Sequence, residues 1–144
     1  MPQTLTEISH VIQLAIAPVF LLTAVGTVLN VLAGRLARAV DRRRSLVAAL
    51  PKLEADTADL ARAEIEFEVR RINLIYIAIS MAVFSALLVC CLIVLAFVDA
   101  FVTAPLAKVI AGLFILSMVA LIASLTFFLR EIFLSINSPR APVP

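Results

Sequence analysis

The sequence predicts an all-α membrane protein: three transmembrane helices, with a cytoplasmic antiparallel helical hairpin, a stalk, between helices 1 and 2. Three observations carry that expectation. The chain is 63% hydrophobic and only 15% charged. Three long stretches contain no charged residue at all. Nine of the twelve Lys and Arg crowd between Gly34 and Arg71. A soluble domain of 144 residues has too little interior for that much apolar surface. The length suits one small membrane domain, residues 1–144. Net charge is only +2, so no strongly basic face offers itself to nucleic acid.

The first charge-free stretch is 11–33, VIQLAIAPVFLLTAVGTVLNVLA. At about 1.5 Å per residue it spans roughly 30 Å, enough to cross a bilayer. In hydrocarbon every backbone N–H and C=O must be paired within the segment, so the stretch is a helix. No basic region precedes it, and arginines follow it directly, as in a retained helix rather than a cleaved signal peptide. The second and third stretches, 74–98 and 109–129, satisfy the same length argument. Cys90 and Cys91 are adjacent within the second stretch, as free thiols acting as small apolar groups. The tail 138–144 is Pro-rich and is expected to be disordered.

Between the first two stretches lies 34–73, polar but rich in Ala, Leu, Glu and Arg, all good helix formers. Pro51 breaks it into two arms. Leu29, Leu36, Val40, Val47 and Leu50 on one arm fall on steps that sum to sevens, and Leu53, Leu60, Phe67 and Leu74 on the other are each seven apart. They predict a coiled hairpin seam. Folding at Pro51 sets Asp41 against Arg62, Arg44 against Asp59 and Arg35 against Glu68, with Arg38 between Glu64 and Glu66. Such exposed pairs set register more than stability.

The charges also predict orientation. Cytoplasmic loops are enriched in Lys and Arg near helix ends. The segment before residue 11 has neither, 34–73 has nine, the 99–108 connection has Lys108 alone, and the C-terminal part has Arg130 and Arg140. The N-terminus is therefore expected outside and the C-terminus in the cytoplasm. Arg35, Arg38, Arg70 and Arg71 lie nearest the membrane, where anionic headgroups are expected partners. With Asp41, Arg42, Arg62 and Glu68 they make up the candidate stalk and headgroup charges.

The run APVFLLTAVGTVLNVLAGRLARAVDRRRSL resembles the opening signature of the domain of unknown function 2721 family of small bacterial membrane proteins. The likeness rests on Pro18 within the first membrane helix, Leu21 and Leu22, then R-x-x-R-x-x-D-R at Arg35, Arg38, Asp41 and Arg42. The close, LTFFLREIFLSI, is also similar, with Arg130 and Glu131 just past the third helix. The sequence departs at Gly34, where that family usually carries Asn. The resemblance covers nearly the whole chain. It implies a three-helix protein of the bacterial inner membrane and gives no activity, cofactor or catalytic residue.

The candidate functional feature inside the membrane is a polar face on helix 1: Gln13, Thr23, Thr27 and Asn30. One reading is a wet stripe lining a pore in a ring of subunits. The other is a contact face, where small and polar residues mediate close packing. On the third helix Ser117, Ala120 and Ser124 share one face, most simply for packing. Pro18 invites a kink, and Asp99 and Lys108 a pair across the short outer connection. His10 is the only histidine and makes neither a metal site nor a triad alone. No phosphate loop, H-E-x-x-H or nucleophile elbow is present. No catalytic, metal or cofactor residue is therefore expected. The expected role is structural or assembly, as a homo-oligomer or beside a membrane partner protein, with a small homo-oligomeric channel or transporter as the alternative.

Overall fold

The computed structural model describes the backbone of residues 2–99, 101 and 106–137, and their side chains except at 2–7, 11 and 14. The expected disordered tail, 138–144, lies outside the described residues. The fold is all-helical: α1 (Pro2–Ala49), a 3-10 turn (Leu50–Lys52), α2 (Ala55–Asp99) and α3 (Ala107–Ile136). All three α-helices are long and apolar enough to cross a membrane. α1 runs through Pro18 as a single helix.

Proline chemistry ends α1. The ring of Pro51 fixes φ and removes a backbone donor, so it stands in the 3-10 turn. Leu53 then goes extended, with φ −92° and ψ 147°, and its N–H donates to the Leu50 carbonyl at 3.4 Å. α2 opens with Asp56 in its first turn, where the helix dipole favours a carboxylate. Ahead of α3, Asp99 Oδ1 accepts the Leu106 N–H at 3.3 Å. Asp99 thus bonds backbone, and the expected ion pair with Lys108 is not among the ion pairs of the described residues.

The chain divides into two compact units, Met1–Leu29 with Met81–Ala123, and Asn30–Ser80 with Ser124–Pro144. The first is packed around Val25, Ala82 and Leu121, with Leu21, Leu29 and Ala86 against them. There Ser85 Oγ donates to the Ser117 carbonyl at 2.8 Å, linking α2 to α3. The second unit packs Leu46 on Ala61, with Leu50, Leu53 and Ile65 around them. In it Ser124 Oγ donates to the Ala78 carbonyl at 2.7 Å.

The buried stripe differs from the expected seam. On α1 the buried positions among the described residues are Pro18, Val25, Leu32, Ala39 and Leu46, seven apart, while Val47 is 49% exposed. On α2 they include Ala61, Glu64, Glu68, Ile75 and Ala78, and Leu60 is 53% exposed. Of the expected seam, Leu29, Leu50 and Leu53 pack at the edges of these cores, while Val47 and Leu60 turn outward and the small Ala39 and Ala61 and the paired Glu64 are buried in their stead. The charge register also differs. Arg62 bonds Asp59 of its own helix at 2.8 Å, rather than Asp41. Arg35 meets Glu131 of α3 at 2.7 Å, rather than Glu68. The break between the helices spans Leu50 to Glu54 rather than Pro51 alone, and Arg42 rather than Arg38 meets Glu64.

Candidate functional site

Three carboxylates are nearly inaccessible: Glu64, Glu68 and Glu131, at 2%, 2% and 0% exposure. Leaving any of them unpaired in that state costs several kcal/mol. All lie in the second unit, and each meets arginine.

Glu131 is the centre. Its Oε2 accepts Arg35 Nε of α1 at 2.7 Å. Its Oε1 accepts Arg71 of α2 twice, from Nη2 at 2.8 Å and from Nε at 3.1 Å. Arg71 Nη1 also donates to both oxygens of Glu68, at 2.9 and 3.2 Å. Further along, Arg42 Nε and Nη2 donate to Oε1 and Oε2 of Glu64 at 2.9 and 3.3 Å. That is the two-pronged match of a planar guanidinium to a carboxylate, which a lysine cannot reproduce. The Arg35 guanidinium also lies over the Phe128 ring, 5.6 Å from its centroid. One carboxylate of α3 thus ties α1 and α2. Three arginines meet three glutamates, and among the described residues every buried side-chain N and O has a hydrogen-bond partner. Chemically this is a balanced clamp on helix register.

The candidate stalk charges divide. Arg35, Arg42, Glu68 and Arg71 join the network. Arg62 pairs only within its helix, where it and Asp59 are well exposed. Arg38, Asp41 and Arg70 are exposed. On α1 the polar face of Gln13, Thr23, Thr27 and Asn30 is also exposed. Thr23 Oγ1 donates to the Val19 carbonyl at 3.3 Å, and Thr27 Oγ1 to the Thr23 carbonyl at 3.1 Å. Both hydroxyls are satisfied within their own helix. Ser117, Ala120 and Ser124 are buried. Cys90 and Cys91 are free and exposed. Among the described residues no group of three or more His, Cys, Asp or Glu is placed to hold a metal.

Glu131 was the residue sequence reasoning missed as a hub. The signal was present: Ser117, Ser124 and Glu131 stand seven apart, so the α3 face that carries the serines carries the carboxylate one step on.

A family model described as "Protein of unknown function (DUF2721)" matches residues 15–141. The chain belongs to the DUF2721 family. The residues on which the resemblance rested now have positions. The R-x-x-R-x-x-D-R run of this DUF2721 chain supplies Arg35 and Arg42 to buried carboxylates, and its closing Arg130-Glu131 pair supplies the central one. No curated protein and no solved structure matches the chain.

Proposed function

We propose that this DUF2721 chain is a multi-pass protein of the bacterial inner membrane and a structural or assembly subunit of a membrane oligomer. Residues 34–73 form a cytoplasmic helical hairpin that serves as its docking element. The turn at Leu50–Lys52 and the packing of Leu46 on Ala61 support the hairpin. The arginine bias supports an outside N-terminus and a cytoplasmic C-terminus. The role involves no catalytic step, metal or cofactor.

The observation that carries the assembly reading is the uncovered polar face of α1. Gln13 and Asn30 present carboxamides outward on a helix that otherwise suits lipid. A carboxamide without a partner in hydrocarbon is costly. Another copy of the chain covers it most economically, since the same helix then supplies both partners. A membrane partner protein is the other occupant. The self-satisfied hydroxyls of Thr23 and Thr27 suit such a packed face.

The same face supports a second reading, a small homo-oligomeric channel or transporter in which α1 lines the path. Cysteine accessibility separates the two. In a Cys90→Ala/Cys91→Ala background, Thr23→Cys, Thr27→Cys and Asn30→Cys are compared with Val25→Cys and Val28→Cys in proteoliposomes. An impermeant thiol reagent is expected to label none of the five. Fast labelling of the polar face alone would establish a water-filled path and end the assembly reading.

A further inference from the structure

The network sorts the arginines of the second unit into two sets. Arg35, Arg42 and Arg71 are taken by buried carboxylates, and Arg62 by Asp59. Arg43 and Arg44, farther along α1, are exposed without an ion pair among the described residues, and so are Arg38 on α1, Arg70 on α2 and Arg130 on α3. Each of these last three stands beside a member of the network. Arg38 is one turn past Arg35, Arg70 precedes Arg71, and Arg130 precedes Glu131. Because Arg35 and Arg71 both bond Glu131, the three exposed arginines share one level of the unit. At 1.5 Å rise per residue, the steps from the network put them within about 5 Å of that level along the helices. Successive residues on a helix point about 100° apart, so Arg70 and Arg130 face outward while Arg71 and Glu131 face in.

That level is also where all three charge-free stretches end, at Ala33, Leu74 and Leu129. The exposed acids nearest in sequence, Asp41 and Glu66, lie one turn farther from those stretches. The positive charge is therefore uncompensated on the apolar side.

We propose that Arg38, Arg70 and Arg130 form a collar, one arginine per helix, that binds the phosphate of anionic lipid headgroups. The inference rests on the membrane orientation proposed above. A guanidinium fork matches phosphate oxygens in two-pronged geometry. A basic residue at a headgroup surface favours anionic over neutral lipid by about fivefold. The network gives the collar its rigidity: each collar arginine stands on a helix fixed by Glu131, so the three are presented together.

The test uses the full chain in nanodiscs of phosphatidylcholine with a minority of phosphatidylglycerol. Lipids retained on the protein after release are counted by native mass spectrometry. The wild type is compared with Arg38→Gln/Arg70→Gln/Arg130→Gln and with Arg43→Gln/Arg44→Gln/Arg62→Gln, which loses the same charge farther along the arms. The wild type and the arm variant are expected to retain phosphatidylglycerol preferentially, by on the order of tenfold or more. The collar variant is expected to lose that preference while its circular dichroism stays unchanged. Equal preference in the two variants would overturn the collar. Displacement of the bound lipid by inorganic phosphate alone would overturn a lipid ligand in favour of a free anion. Orientation is read separately. Ser45→Cys, in the background lacking Cys90 and Cys91, stays unlabelled by an impermeant reagent in intact cells. Labelling there overturns the orientation, while the lipid ratio still decides the collar.

Discussion

The two units of this chain are held by different chemistry. The first packs on small and medium apolar side chains, Val25, Ala82 and Leu121, with one serine bond between helices. The second buries three glutamates and satisfies each with arginine. In lipid, apolar side chains gain little by leaving hydrocarbon for one another, so the first unit rests on close contact and a hydroxyl bond. The second carries interactions that are strong and conditional. Every buried charge depends on its partner, and removing one strands the other. The lesson is that one pair of helices can be loosely specified along part of its length and tightly keyed along another.

The largest expected effect tests that key. Glu131→Ala leaves Arg35 and Arg71 without their shared carboxylate. It should lower stability by about 3–5 kcal/mol in denaturant-induced unfolding followed by circular dichroism in micelles. A loss below about 1 kcal/mol would mean that water or lipid phosphate replaces the carboxylate, and the contrast between the units would vanish. Ser85→Ala in the first unit sharpens the comparison. Interhelical hydroxyl bonds in membranes are worth about 0.6 kcal/mol and at most about 1.7, so the same assay should show a loss in that range. The smallest effect belongs to Arg62→Ala. Its partner Asp59 is 75% exposed, and such pairs contribute about 0–1 kcal/mol. If Arg62→Ala matched Glu131→Ala, burial would not be what distinguishes the charges of this protein.

The sequence makes some of this readable and hides the rest for a physical reason. Three charge-free stretches announce three apolar helices, because length and hydropathy are properties of a segment alone. Pro51 marks the turn for the same kind of reason, since its ring acts on its own backbone. The buried stripe is not local. Leu60 looks like a seam residue and is exposed, whereas Ala61 and Glu64 look like surface and are buried. A rule that ranks positions by hydrophobicity fails when alanines permit close approach and arginines pair with the buried glutamates. Glu131 shows the limit most clearly. Beside Arg130 it reads as an ordinary charged flank, and only the arrival of Arg35 from α1 and Arg71 from α2 makes it central. Its place seven residues beyond Ser124 was the usable hint. The polar face of α1 was readable as a face, but what it touches depends on molecules outside the chain.

The position of Glu131 also sets an order of events during synthesis. The ribosome completes Arg35 and then Arg71 before the carboxylate they share. Until α3 is in place, both guanidiniums lack the acceptor that joins them, and Glu68 serves Arg71 alone. The last helix therefore closes the arrangement like a latch. A chain halted before Glu131 differs from a finished one by one uncompensated positive charge, at Arg35, since Arg71 keeps Glu68. That difference is chemical as well as one of length.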